Sequence, residues 1–199
     1  MIDGMGLYDE ALGRFRTVFE AARELGAPEP NAMTLATVSA TGRPSARTVL
    51  LKGLDERGFV FYTNRTSRKG QHLAANPVAA LCLHWPLLAR QVLIEGVIEQ
   101  VSDAESDAYF ASRPRLSQLG AWASRQSQPL PAPEALATQV AEVEARFGDG
   151  PIPRPPHWGG YRLVPDLIEF WSAGDGRLHT RDRYSRTADG DWVHGYLNP

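Results

Sequence analysis

Leu7, Ala11, Phe15, Val18, Phe19, Ala22 and Leu25 recur at three- and four-residue steps, the spacing of a helix with one buried face. Gly26 and Pro28 end it. The period then drops to two. Met33 to Val38, Ala46 to Lys52 and Phe59 to Thr63 read as strands, separated by turn chemistry at Ala40-Thr41-Gly42-Arg43-Pro44 and Leu54-Asp55-Glu56-Arg57-Gly58. Ser67 to Ala75 reads as a short helix with Ser67 as its N-cap, stopped by Asn76-Pro77. Val78 to Trp85 and Gln91 to Val101 are two further strands. Helical patterns follow from Ser102-Asp103 to Phe110, after Pro114, and from about Ala132 to Phe147. Pro151, Pro153, Pro155 and Pro156 make a stiff connector. The pattern then returns to strands at Gly160 to Val164, Leu167 to Trp171, around Leu178 to Ser185, and Trp192 to Tyr196, with Asp189-Gly190 as a hairpin signal.

A meander of strands with one long helical excursion predicts a mainly β chain with inserted helices (α+β), its antiparallel strands forming a closed or nearly closed barrel. Without βαβ alternation or a Gly-x-Gly-x-x-Gly fingerprint, a dinucleotide-binding domain is not expected. The 199 residues suit one domain over 1–199, with an N-terminal helix over 1–27 and a helical insertion over 102–150.

Composition narrows the class. The net charge of -2 gives no global attraction to nucleic acid or anionic membrane, so any basic site must be local. No run approaches the ~20 apolar residues of a membrane helix, and the start, Met1-Ile2-Asp3-Gly4-Met5-Gly6, lacks the features of a secretory leader. A cytoplasmic location is expected. The single cysteine, Cys82, lies in an apolar run and reads as a small core residue. No His/Cys/Asp/Glu set has metal-ligand spacing, so no metal is expected.

Four basic clusters carry the candidate chemistry. Arg47 and Lys52 are five apart, which places them on opposite faces of an ideal strand; a bulge or a strand end at Lys52 is needed for both to reach one ligand, and two solvated charges are the alternative. Arg68 and Lys69 open a helix, where cations oppose the macrodipole; an anion held by the free N–H groups would reconcile them. Arg113-Pro114-Arg115-Leu116-Ser117 repeats that logic, with Tyr109 one turn earlier on the same face. In Arg177-Leu178-His179-Thr180-Arg181, strand alternation would put three cationic or cationisable groups on one face. His72, His84, His157 and His194 have no such company and read as structural. The residues alone therefore give a barrel with two candidate anion sites, and no reaction.

Ordered segments add the reaction. Arg47-Thr48-Val49-Leu50-Leu51-Lys52, Phe61-Tyr62-Thr63-Asn64, Ser67-Arg68-Lys69, Arg90-Gln91-Val92, Tyr109-Phe110, Ser112-Arg113-Pro114-Arg115, Gly120-Ala121-Trp122-Ala123-Ser124 and Arg177-Leu178-His179 occur in an order and at spacings that closely resemble the pyridoxamine 5'-phosphate oxidase family. The resemblance implies an FMN-binding split β-barrel and a homodimer with FMN at its interface. It implies FMN contacts from Arg47, Thr48, Val49, Leu50, Leu51, Lys52, Tyr62, Thr63, Arg68, Lys69, Gln91, Gln126, Ser127, Trp171 and Arg181. Lys52, Tyr109, Arg113 and Ser117 would take the substrate phosphate, and Arg177 and His179 would lie over the substrate ring as the catalytic pair. The implied reaction oxidises pyridoxamine or pyridoxine 5'-phosphate to pyridoxal 5'-phosphate with O2, yielding hydrogen peroxide, and ammonia from the amine. Two departures are visible. The chain starts almost at its first helix, where family members often carry a basic arm. It ends Tyr196-Leu197-Asn198-Pro199, with Tyr where Arg is usual, as in a related flavin oxidase of phenazine biosynthesis. That oxidase and a non-catalytic flavin or pyridoxal phosphate carrier are the alternatives.

Overall fold

The computed structural model describes residues 4–199; positions 1–3, which open the expected N-terminal helix and the expected leaderless start, lie outside the described residues. Helix α1 runs Gly4–Glu24, and Gly26 at φ 70 turns the chain out of it. Strands β1 (Ala32–Val38), β2 (Pro44–Leu50), β3 (Gly53–Asp55) and β4 (Gly58–Asn64) follow, then α2 (Arg68–Ala75), β5 (Val78–Trp85) and β6 (Arg90–Gln100). The helical insertion is α3 (Asp103–Ser112), α4 (Arg115–Ala123) and α5 (Ala135–Phe147). Three strands close the chain: β7 (Trp158–Ser172), β8 (Thr180–Arg186) and β9 (Trp192–Leu197).

One antiparallel sheet has the order β2-β1-β5-β6-β7-β4-β3, with β8 and β9 added beyond β7. The sheet curls into an open barrel whose outer strands β2 and β3 are joined directly through Leu51-Lys52. Strand β7 pairs β6 along one edge and divides its other edge. Residues 158–163 pair β4, whereas residues 167–172 pair β8. The change of partner coincides with a register shift, where Glu95 faces Leu167 but Gly96 faces Pro165. A Cβ at Gly96 would stand 2.0 Å from the Val164 carbonyl oxygen, so the two backbones approach this closely only at glycine.

The barrel core is built from alternate residues of the strands, among them Leu35, Phe59, Phe61, Leu81, Leu83, Ile94 and Ile168. Helix α1 closes one end with Ala11, Leu12 and Phe15, and Phe15 meets Phe59 edge to face at 4.9 Å. A second cluster, Phe110, Leu119, Ile152 and Trp158, fastens the helical insertion to the barrel. The helix expected to open at Ser102-Asp103 does so with a capping box. Ser102 accepts from the Glu105 N–H while Glu105 accepts from the Ser102 N–H.

Four local expectations are corrected. The turn expected at Leu54 to Gly58 begins inside a short strand, β3, because Gly53 to Asp55 pair with β4 and extend the sheet by one strand. The two strands expected at Gly160 to Val164 and Leu167 to Trp171 are one, since a bulge carries the pairing across Pro165. Cys82 is half-buried and points away from the core, because Leu81 and Leu83 take the inward positions of β5. The strand expected from Leu178 begins at Thr180.

Candidate functional site

That last correction bears on chemistry. Arg177 lies in a 3-10 turn, Asp175–Arg177, with φ 64, and His179 precedes β8. Strand alternation therefore does not place Arg177, His179 and Arg181 on one face. Arg181 alone is in β8, and its guanidinium is held by buried Glu169, Nε to Oε1 at 2.8 Å and Nη2 to Oε2 at 3.0 Å.

The larger assembly of expected residues is a cavity of about 620 Å³ where the β2–β3 seam meets the helical insertion. Strand β2 ends at Leu50, so Lys52 escapes the alternation that opposed it to Arg47. Lys52 lines the cavity with Thr48, Val49 and Leu50. Leu51 between them turns into the core. Tyr62 and Thr63 arrive from the end of β4, Lys69 from the first turn of α2, and Tyr109, Arg113 and Ser117 from α3 and α4. Gln126 arrives from the loop after α4.

The cavity is built to hold negative charge. Lys52, Lys69 and Arg113 line it, and no Asp or Glu does so among the described residues. Lys69 is 9% exposed, and its ammonium meets only neutral oxygens: Thr63 Oγ1 at 3.1 Å, Gln126 Oε1 at 3.0 Å and Ser67 Oγ at 3.5 Å. Burial, reinforced by the Arg47 charge, lowers its pKa to about 8. Arg47 donates to the Leu35 carbonyl, to Thr37 Oγ1 and to Ser45 Oγ; burial and the Arg68 charge lower its pKa too. Ser67 caps α2 as expected, its Oγ accepting from the Gly70 N–H. At Gly70 a Cβ would stand 2.1 Å from the Arg65 carbonyl oxygen, so glycine lets the β4–α2 turn fold tightly enough to aim Lys69 inward.

Arg113 completes the opposite wall. Tyr62 stacks on Tyr109 at 4.0 Å and on Trp158 at 5.4 Å, and the Arg113 guanidinium stands 4.8 Å over Trp158. Burial lowers the Arg113 pKa, and its buried Nη1 has no hydrogen-bond partner. Buried cationic donors without carboxylates suit a phosphate, which offers several acceptor oxygens. Burial, with the Glu105 charge, raises the Tyr62 pKa, keeping the phenol a donor at neutral pH. Arg115, counted in the same basic cluster, is spent elsewhere. It donates to the Gly148 and Gly150 carbonyls and ties α4 to the end of α5.

The remaining expected residues are not brought to this cavity. Arg68 is exposed at the start of α2. Ser127, at φ 72, lines a neighbouring cavity between the loop and α5, which Gln126 also borders. Gln91 and Trp171 are cross-strand partners that line a cavity beside α1. Together with Arg177, His179 and Arg181 they form a second group around β7 and β8. Of the histidines read as structural, His72 is buried against Thr37, His157 meets the Ala121 carbonyl, and His194 pairs with Asp182. Trp158, Ser124 and Asn64 line the main cavity without having been expected there. Trp158 opens β7 directly after the proline connector, and no pattern in the sequence marks it, Ser124 or Asn64 as cavity lining.

Comparison with known proteins follows the same division. The family model described as pyridoxamine 5'-phosphate oxidase matches residues 18–147, and the one described as pyridoxine 5'-phosphate oxidase C-terminal dimerisation region matches residues 158–199. A pyridoxine/pyridoxamine 5'-phosphate oxidase of Alkalilimnicola ehrlichii is 59% identical over 197 residues, covering 98% of this chain and 100% of that protein. One from Myxococcus xanthus is 56% identical, covering 96% of this chain and 92% of that protein. Among solved structures, PhzG from Burkholderia lata 383, in complex with tetrahydrophenazine-1-carboxylic acid, superposes with a TM-score of 0.85 at 37% identity, covering 94% of this chain and 90% of that one.

Proposed function

The chain belongs to the pyridoxamine 5'-phosphate oxidase family, and we propose that it uses FMN and O2 to oxidise pyridoxine or pyridoxamine 5'-phosphate to pyridoxal 5'-phosphate. The observation that carries this reading is the acid-free cavity lined by buried Lys69 and by half-buried Arg113, whose buried Nη1 has no hydrogen-bond partner. One phosphate belongs to the cofactor and one to the substrate. Lys69, with Thr63 and Gln126 bonded to it and the Arg47 charge beside it, would hold the flavin phosphate. Lys52, Arg113, Tyr109 and Ser117 would hold the substrate phosphate. FMN, when bound, supplies the hydride acceptor and returns the electrons to O2, giving hydrogen peroxide. The protein's part is to orient the two ligands and exclude water from between them.

Arg177 and His179, over the substrate ring in this reading, stand in the second group rather than in the cavity. A two-fold dimer reconciles the two groups. Trp171, Arg177, His179 and Arg181 all fall within residues 158–199, the part that resembles a dimerisation region. In a symmetric dimer each cavity would receive Arg177 and His179 from the other subunit, so each site needs both chains.

Purified FMN-loaded protein should release hydrogen peroxide with either B6 phosphate, and ammonia with the amine only. Failure with both substrates would remove the reading. Oxidation of a tetrahydrophenazine carboxylate instead would support the phenazine-type reading, which Tyr196 at the chain end and the 37% identity to PhzG favour. The higher identities, 59% and 56%, are to proteins named for the B6 phosphates.

Lys69 also gives the cavity a pH dependence. Its folded-state pKa of about 8 lies below the ordinary lysine value, so it carries charge below pH 8 and loses it as pH rises through that point. FMN affinity should therefore fall between pH 7 and pH 9. Riboflavin, which lacks the phosphate, should bind equally at both. Fluorescence titration of the two flavins measures the difference; parallel profiles would detach Lys69 from the phosphate.

A further inference from the structure

In the loop between β7 and β8 one backbone N–H, that of Gly174, is aimed at a side chain, that of His179. Ala173 anchors its start, donating to the Ala89 carbonyl at 3.0 Å. The chain then turns through Gly176 at φ 59 and Arg177 at φ 64. Leu178 N–H donates to the Asp175 carbonyl at 3.0 Å, and His179 N–H to the Arg177 carbonyl at 2.9 Å. This turn presses the Leu178 carbonyl against Gly174, where a Cβ would stand 2.0 Å from its oxygen. The closure brings the Gly174 N–H to 3.2 Å from His179 Nδ1. An N–H can donate only to an unprotonated ring nitrogen. A neutral imidazole whose Nδ1 is bare carries its proton on Nε2. Trp171 packs against the same ring at 4.7 Å and holds it in place.

We infer that Gly174 is a positioning residue that fixes His179 in the Nε2–H tautomer, so that His179 meets its substrate as a hydrogen-bond donor and not as a base. The inference rests on the functional reading above and assigns one residue's part in it. With Nδ1 occupied by the backbone and Nε2 protonated, the neutral ring offers no lone pair to remove a substrate proton. It offers one N–H to an acceptor oxygen or nitrogen of the substrate.

Histidine labelled with 15N in the FMN-loaded protein reports the tautomer by long-range proton–nitrogen correlation at a pH where the ring is neutral. His179, assigned by the signal lost in His179→Gln, should show a protonated Nε2 and a bare Nδ1; a protonated Nδ1 overturns the inference. Gly174→Ala should mix the two tautomers, because its methyl group forces the loop off Leu178. An unchanged His179 signal in that variant removes the positioning role. His179→Gln and His179→Asn leave the loop backbone intact. His179→Gln keeps an amide N–H near the Nε2 position and should retain turnover within about tenfold, the scale of one hydrogen bond. His179→Asn places its amide nearer Nδ1 and should lose on the order of a hundredfold. Equal losses of about 10²- to 10⁴-fold in both, the scale of a missing general base, would overturn the donor role. The nuclear resonance measurement needs no turnover, so it decides the tautomer even if the protein oxidises neither B6 phosphate.

Discussion

Mixing Arg113→Ala with Arg177→Ala protein should restore oxidation that neither variant performs alone. Arg113 stands in the cavity wall over Trp158, whereas Arg177 stands in the turn before β8, and the two do not meet within one chain. If each site takes its cavity from one subunit and its β7–β8 loop from the other, each homodimer lacks one arginine at both sites. Loss of such a charge-assisted contact to the reacting ligand should cost on the order of a hundredfold in turnover. A hybrid dimer, however, carries both defects in one site and neither in the other. Random reassortment after mild unfolding and refolding would then recover roughly a quarter of the wild-type activity, because half the dimers are hybrid and half their sites are intact. FMN absorbance on each variant, measured beforehand, separates loss of turnover from loss of cofactor. Absence of recovery in verified hybrids would place both arginines in the same subunit's site, or outside it.

Lys69→Met should move stability and cofactor binding in opposite directions. The ammonium is buried among neutral oxygens, and its pKa of about 8 shows that the fold disfavours the charge. Its removal should stabilise the flavin-free protein by on the order of 1–2 kcal/mol, the penalty implied by the shift less the lost hydrogen bonds. The same change should weaken FMN binding by about 1.5–3 kcal/mol, roughly ten- to a hundredfold, since a charge-assisted phosphate contact is lost. Thermal unfolding without flavin and a fluorescence titration with it test the two halves. A destabilised protein with unchanged FMN affinity would make Lys69 a structural residue.

Much of this fold was legible because local patterns and the tertiary solution agree. The apolar run opened after Asn76-Pro77 gave β5, Val78 to Trp85, to the residue, and Ser67 and Ser102 announced two helix starts that their side chains cap. Legibility failed where a long-range partner decides conformation. Leu54 and Asp55 have turn composition, yet pair with β4 as part of an edge strand. Pro165 reads as a strand breaker, yet lies in a bulge opposite Gly96 that lets β7 continue. For the site, the two cations opposing the α2 macrodipole were expected to share one anion; Lys69 is buried and lines the cavity, whereas Arg68 is exposed. The Arg177 face failed because left-handed backbone at Gly176 and Arg177 turns the chain before strand alternation begins. Residue roles came from the ordered resemblance, since periodicity carries no information about which anion a lysine meets.

The divided edge of β7 also sets an order of events for the nascent chain. Phe61 waits a hundred residues for Tyr161, and Ile94 waits for Ile168. Until residues 158–172 leave the ribosome, β4 and β6 each present an unpaired edge. Most of the barrel's sequence is thus synthesised before the strand that unites it, a topology with high contact order and slow closure. The exposed edges in that interval are where misassembly or self-association would begin. A chain released before Trp158 would carry nearly the whole cavity-lining set and still lack the strand that holds its walls together.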